Sequence, residues 1–311
     1  MINTLNSKFA AKGNIFFKKG GDNLIIAKIE NKYSSCEISL YGAQVLSFEP
    51  NGEEDVLWMS KKSFFEKGKA IRGGIPVCFP WFGPHKSDSE KPQHGFARLI
   101  DWEVDHVINR SDSSTQLILK CSNNEYTSKL WPFEFEAKLI ITVSDQLEVA
   151  LEIRNKGQES FEYTDALHTY FRVSDIEDIS ISGFKDAQYH NGLLDDSIKI
   201  QNEKLLHFHK EENRRYIAHS NECTIFDKNL ERNIHISKNG SYTTVVWNPW
   251  EETTKKISDM KADGYKTMVC IEAANAYDDF IRLLPGESYT MSTVIKPEKT
   301  NKIVTNSPIN Y

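Results

Sequence analysis

Apolar and polar residues alternate over short distances along this chain, most clearly between residues 133 and 154. F-E-F-E-A-K-L-I-I-T-V occupies 133–143 and L-E-V-A-L-E-I occupies 147–153, with Ser144-Asp145-Gln146 between them. A period of two sends successive side chains to opposite faces of an extended strand, so the pair predicts a β-hairpin with one buried face. Comparable runs, β-branched or alternating and bounded by Gly, Asn, Asp or Pro, fall at 24–29, 36–40, 44–48, 56–59, 102–108 and 116–121. Others follow at 161–173, 179–181, 198–200, 205–209, 224–226, 234–236, 243–247, 268–272 and 288–295. Helical signal is confined to 251–261, with a single turn expected at 60–67. About fifteen short strands with so little helix exclude a doubly wound α/β fold and predict an all-β protein, one large β-sandwich. No repeat and no Pro/Gly/Ser linker divides the chain. Residues 1–311 therefore read as a single domain, with 1–20 a loosely ordered N-terminal segment.

Composition narrows the partners. The 311 residues are 39% hydrophobic and 11% aromatic, enough to build a core and to exclude disorder. The formal net charge is −6 and Lys and Arg form no block, which argues against nucleic acid and against an anionic membrane as main partner. A small anion is still compatible, because a few arginines in a cleft set the local field. The five cysteines, Cys36, Cys78, Cys121, Cys223 and Cys270, contain no C-x-x-C pair, so neither a disulfide framework nor structural zinc is expected. The start, M-I-N-T-L-N-S-K-F-A, has no apolar signal core, and no apolar run approaches membrane length. A cytoplasmic protein is expected.

Three segments carry candidate chemistry. Residues 72–98 read R-G-G-I-P-V-C-F-P-W-F-G-P-H, a polar run at 86–92, then Q-H-G-F-A-R. Gly and Pro make this an ordered loop, and it suits a packed crossover and a pocket wall equally. Arg72 precedes Gly73-Gly74, whose backbone N–H groups could help cradle an anion, and Arg98 closes the stretch. His168, in A-L-H-T-Y-F-R-V, is by itself most simply a half-buried core group. Glu272 ends the apolar run M-V-C-I, where a carboxylate is costly to bury without a partner. Facing one another, a His and a Glu would form a general acid and base, each worth about 10²–10⁴ in rate, without metal or cofactor. Asp195-Asp196 and Glu211-Glu212 look like solvated surface. H-E-x-x-H, G-x-x-x-x-G-K-[ST] and G-x-S-x-G are all absent.

Taken together, R-G-G-I-P-V-C-F-P-W-F-G, Q-H-G-F-A-R, D-A-L-H-T-Y-F-R-V-S-D-I, V-W-N-P-W and M-V-C-I-E-A resemble the glucose-6-phosphate 1-epimerases, the hexose-6-phosphate mutarotases of the aldose 1-epimerase group. The likeness runs in one order from about Leu24 to Ile295. It implies a galactose-mutarotase-like supersandwich that interconverts the anomers of a hexose 6-phosphate, without cofactor or metal and as a monomer. By position, His168 matches the catalytic histidine that protonates the ring oxygen, and Glu272 the carboxylate that takes the anomeric hydroxyl proton. Arg72 and Arg98 match residues near the phosphate and Gln93 a substrate contact, with His94 beside them. One departure stands out. The family's D-R-x-Y is here Asn213-Arg214-Arg215-Tyr216, and Asn can accept a hydroxyl's hydrogen bond but carries no charge. Asn213 thus keeps two alternatives open, a non-catalytic sugar-phosphate binding protein and an epimerase of neutral aldoses. The polar run 86–92 is expected at the pocket rim.

Overall fold

A computed structural model describes residues 1–10, 14–192 and 197–300. Among them are twenty-two strands and three short α-helices, as the alternation predicts. Two eight-stranded antiparallel sheets dominate, accompanied by a four-stranded and a two-stranded sheet. One large sheet is a meander through the predicted hairpin, Phe135–Val143 with Leu147–Asn155, which joins Ser288–Lys299 on one side and Thr115–Ser122 on the other. In the hairpin the odd-numbered residues from Phe135 to Val143 are buried, the period-two signature of a strand with one face in the core.

The other large sheet carries the chemistry-bearing segments. Its order sets Glu212–Tyr216 beside Thr243–Asn248, that strand beside Met268–Asn275, and the last beside Asp165–Leu167, which pairs onward with Val77–Cys78. Tyr170–Arg172 pairs with the same central strand. Every residue of Met268–Asn275 is buried, so both its faces are covered. One core cluster draws Ile271 and Ala273 of this sheet together with Met291 and Ile295 of the other.

Residues 72–98 turn out to be both crossover and wall. Phe79 packs edge-on against Phe96, Trp131 and Tyr163, with ring centroids 5.4–6.1 Å apart. The buried Gln44 amide donates to the carbonyls of Ile71 and Gly73 and holds the start of the stretch in place. Gly95 is obligatory here. Its φ is +74°, and a Cβ there would sit 2.0 Å from the Phe79 carbonyl oxygen.

Several local expectations need correction. Within the N-terminal segment, Ile2–Phe9 is helical, and Asn6 exchanges two hydrogen bonds with the backbone of Phe17 in the strand Ile15–Lys19. No helix forms at 60–67; the Ser63 N–H closes a single turn on the Ser60 carbonyl, and the Ser63 hydroxyl accepts from the Arg72 N–H. Residues 56–59 and 205–209 make only isolated bridges, because Leu57, Met59 and Leu206 each find one partner and no ladder. The helix expected at 251–261 is the single short element Trp250–Thr254. Glu212 is not surface but a buried residue of Glu212–Tyr216, paired at 2.8 Å with Arg214 Nε. Asp195-Asp196 lie outside the described residues.

Asp165 yields a stability prediction. It is 1% exposed; Oδ1 accepts from Asn275 Nδ2 at 2.9 Å, and Oδ2 has no partner. Burial pushes its carboxyl up to about 7. The folded chain then binds this proton more tightly than the unfolded chain, whose Asp titrates near 3.9. The contribution is greatest below that value and declines as pH rises towards 7. Urea unfolding of Asp165→Asn and wild type at pH 5 and pH 8 should show the variant gaining about 2–3 kcal/mol relative to wild type over that interval. A difference that does not change with pH overturns this account of Asp165.

Candidate active site

A cavity of about 390 Å³ opens on the sheet that contains Met268–Asn275, and every site residue named from the sequence lines it: Arg72, Gln93, His94, Arg98, His168, Asn213 and Glu272. That volume falls in the range of about 300–1,000 Å³ common for small-molecule sites. Its walls come from segments some two hundred residues apart. Glu272 stands on the central strand Met268–Asn275 opposite Val245 of Thr243–Asn248. His168 lies in the short break between Asp165–Leu167 and Tyr170–Arg172, where its backbone N–H donates to the Pro76 carbonyl at 3.0 Å. Both flanking strands pair with Met268–Asn275 in one continuous register, which sets His168 opposite Glu272.

His168 Nε2 and Glu272 Oε1 are 3.4 Å apart. The separation would suit an ion pair, but burial opposes charge on both partners. Burial, followed by the fields of Arg98 and Arg72, draws the imidazole down to about 3. Burial holds the Glu272 carboxyl well above the ordinary carboxylate range, against the pull of Arg98. We therefore read the resting pair as neutral, with one proton residing on the carboxyl and the imidazole uncharged. The imidazole stacks on Tyr170, with centroids 4.8 Å apart and planes at 12°, and meets Trp247 edge-on. His168 Nδ1 and Glu272 Oε2 have no hydrogen-bond partner within the described protein.

The two arginines differ in their commitments. Arg72 Nε contacts both carboxylate oxygens of Asp259 at 3.1 and 3.2 Å, and Nη1 donates to the Tyr170 hydroxyl. Burial opposes its charge, but Tyr170 and Asp259 more than offset that and raise its pKa. Arg98 donates from Nη2 to the Gln93 carbonyl, and its buried Nε has no partner. It is the less neutralised cation of the two. His94, half-buried and held uncharged, accepts the Gly83 N–H on Nδ1, which leaves its proton on Nε2. Its ring lies edge-on to His168 at 5.6 Å.

Outside residues 72–98, six lining residues are not among the site residues named from the sequence: Tyr170, Arg215, Val245, Trp247, Ile257 and Tyr277. Two of them carry a usable signal, since Tyr170 follows His168 by two and Arg215 follows Asn213 by two along an extended segment. Arg215 stacks on the Tyr277 ring at 3.5 Å. The polar run 86–92 does not reach the cavity. It packs outward instead, with Trp81 Nε1 donating to the Pro92 carbonyl and Lys91 Nζ to that of Leu130.

A sheet-borne cavity of sugar-sized volume, with a buried carboxyl and imidazole in contact and cations on its wall, defines a carbohydrate-modifying β-sandwich. The chain belongs to the aldose 1-epimerase family, whose model matches residues 26–296. It is 35% identical over 255 residues to a protein of Escherichia coli K12 named "Putative glucose-6-phosphate 1-epimerase", covering 82% of this chain and 84% of that one. A protein of Cenchrus ciliaris bearing the same name is 35% identical over 264 residues, covering 82% and 78%. Among solved structures, a "putative mutarotase" of Salmonella typhimurium superposes with a TM-score of 0.86 at 29% identity, over 92% of this chain and 94% of that one. No helix among the described residues is long and apolar enough to cross a membrane.

Proposed function

We propose that this protein interconverts the α and β anomers of hexose 6-phosphates, glucose 6-phosphate among them, with His168 as acid and Glu272 as base. The observation that carries the reading is the 3.4 Å contact of these two side chains in a cavity also walled by Arg72 and Arg98. The relatives named as glucose-6-phosphate 1-epimerases support the substrate class.

The reaction needs a carboxylate to remove the anomeric hydroxyl proton and an imidazolium to protonate the ring oxygen. That state contains the same single proton as the neutral resting pair, only on the other partner, so it is reached without exchange with solvent. A phosphate ester favours the shift. Its negative charge offsets Arg98 and Arg72, whose fields add to the effect of burial in disfavouring the imidazolium. With the proton on His168, Glu272 takes the hydroxyl proton, the ring opens to the aldehyde, and C1 turns about the C1–C2 bond. Closure on the other face reverses both transfers. Gln93, His94 and Asn213 would hold sugar hydroxyls. The reading carries with it a monomeric, single-domain cytoplasmic enzyme that needs no cofactor and has neither nucleic acid nor membrane as partner.

A coupled assay with a dehydrogenase specific for one anomer of glucose 6-phosphate tests this. Anomerisation should run well above the spontaneous rate at millimolar ester. Acceleration of glucose but not of its 6-phosphate would make the protein an epimerase of neutral aldoses. Calorimetric binding without turnover would make it a binding protein.

A further inference from the structure

Three side chains able to ligate a cation meet beneath the cavity. His168, Cys270 and Glu272 each bring a ligand atom to one point, all within 4.8 Å of one another. Cys270 and Glu272 are two positions apart on Met268–Asn275 and so share a face, while His168 arrives from the break between the two strands that pair with it. All three are more than nine-tenths buried.

The spacing suits a tetrahedral ion. Bonds of about 2.0–2.3 Å keep ligand atoms roughly 3.3–3.7 Å apart. The 3.4 Å between His168 Nε2 and Glu272 Oε1 is already one such edge. The thiol lies within 4.8 Å of the other two ligand atoms, so a side-chain movement of about 1–1.5 Å brings it to the same spacing. Charge also balances: a thiolate, a carboxylate and a neutral imidazole together offset a divalent cation, which is what a buried ion requires. Binding releases two protons to solvent, one from the thiol and one from the carboxyl–imidazole pair, and involves no electron transfer. Arg72 and Arg98 weigh against any cation here. Only an ion that bonds strongly to sulfur overcomes them, which selects Zn2+ or Cd2+ and disfavours Mg2+ and Ca2+.

We propose that His168, Cys270 and Glu272 form a site for a thiophilic divalent cation of the Zn2+ class, whose binding shuts off anomerisation by occupying both proton-transfer groups. Three protein ligands leave one position of a tetrahedral ion open. The inhibitory part rests on the function proposed above; the binding part does not.

Titration of the full-length protein with Co2+ tests binding directly. A thiolate-to-cobalt charge-transfer absorption should grow to saturation near one equivalent and vanish in Cys270→Ala, yet persist in His235→Ala, which alters an exposed His–Glu pair elsewhere. In the anomerisation assay, Zn2+ should inhibit wild type reversibly, with activity restored by chelator. Cys270→Ala should keep basal activity while the inhibitory concentration rises at least about tenfold. If Cys270→Ala folds poorly, Cys270→Ser fills the same space and serves as the comparison. Absence of a Cys270-dependent band at millimolar Co2+, or equal Zn2+ inhibition with and without the thiol, overturns the proposal. A Cys270-dependent band in a protein without anomerase activity supports the site and overturns only the proposed function.

Discussion

Glu272→Gln is expected to lower kcat for anomerisation by at least about 10²–10⁴ while leaving thermal stability equal or higher. Gln matches the carboxyl in size and carries no charge at a site where burial disfavours charge. Burial raises the proton affinity of Glu272 because the charged form is disfavoured there, and Gln removes that liability. Gln cannot take a proton, however. Opposite movement of activity and stability separates a base from a structural residue. His168→Gln should produce a comparable loss, and the double variant should be little worse than either single one, since the two groups share one proton and act as a unit. Additive losses would show that they act independently. The same arrangement sets the pH dependence of kcat/KM. Adding a second proton to the pair is opposed by whatever holds the imidazole near 3, so the acid limb should fall well below the usual histidine range. Losing the shared proton is opposed by the high affinity of Glu272, so the alkaline limb belongs to the pair and lies above the ordinary carboxylate range.

Arg98→Ala should act on the phosphate rather than on the chemistry. A charge-assisted contact is worth about 1.5–3 kcal/mol, so KM for glucose 6-phosphate should rise about 10- to 150-fold. KM for unphosphorylated glucose, where turnover is measurable, should stay the same. Arg98 is the sharper test of the two arginines because Arg72 is already bound to Asp259 and Tyr170. Removing Arg72 would also leave the Asp259 carboxylate without its partner, which confounds binding with folding. Arg98→Lys keeps the charge and loses the fork, so it should fall between wild type and Arg98→Ala. An unchanged KM in Arg98→Ala would move the phosphate elsewhere in the cavity.

Legibility along the chain follows how local each signal is. The hairpin of Phe135–Val143 and Leu147–Asn155 is readable to within two residues, because alternation and turn lie in one short window. Glu125–Leu130 lies outside the predicted elements, because its capping box is built from Asn124 and Thr127 rather than the usual Ser or Thr with Glu or Gln. Glu212–Tyr216 is different. E-N-R-R-Y has little apolar character, and it is a strand because Gln188–Asn191 and Thr243–Asn248 pair with its two edges. The site divides in the same way. Its motifs name His168, Glu272, Arg72 and Arg98, since each stands in a run whose residue types are unusual for the local structure. Nothing in those runs shows that Asp259 neutralises Arg72, or that Tyr277 stacks on Arg215.

By itself, then, the sequence determined the strand-rich class and the identity of the acid–base candidates. Alternation, turn residues and short motifs are written within a few residues of one another. Tertiary structure alone decided that residues 72 and 272 face one cavity, that burial opposes charge on both members of the His–Glu pair, and that Cys270 lies within ligand reach of both. The physical reason is sheet order. Met268–Asn275 takes its neighbours from residues 165–172 and 243–248, and burial, charge offset and ligand spacing exist only once those distant strands are paired.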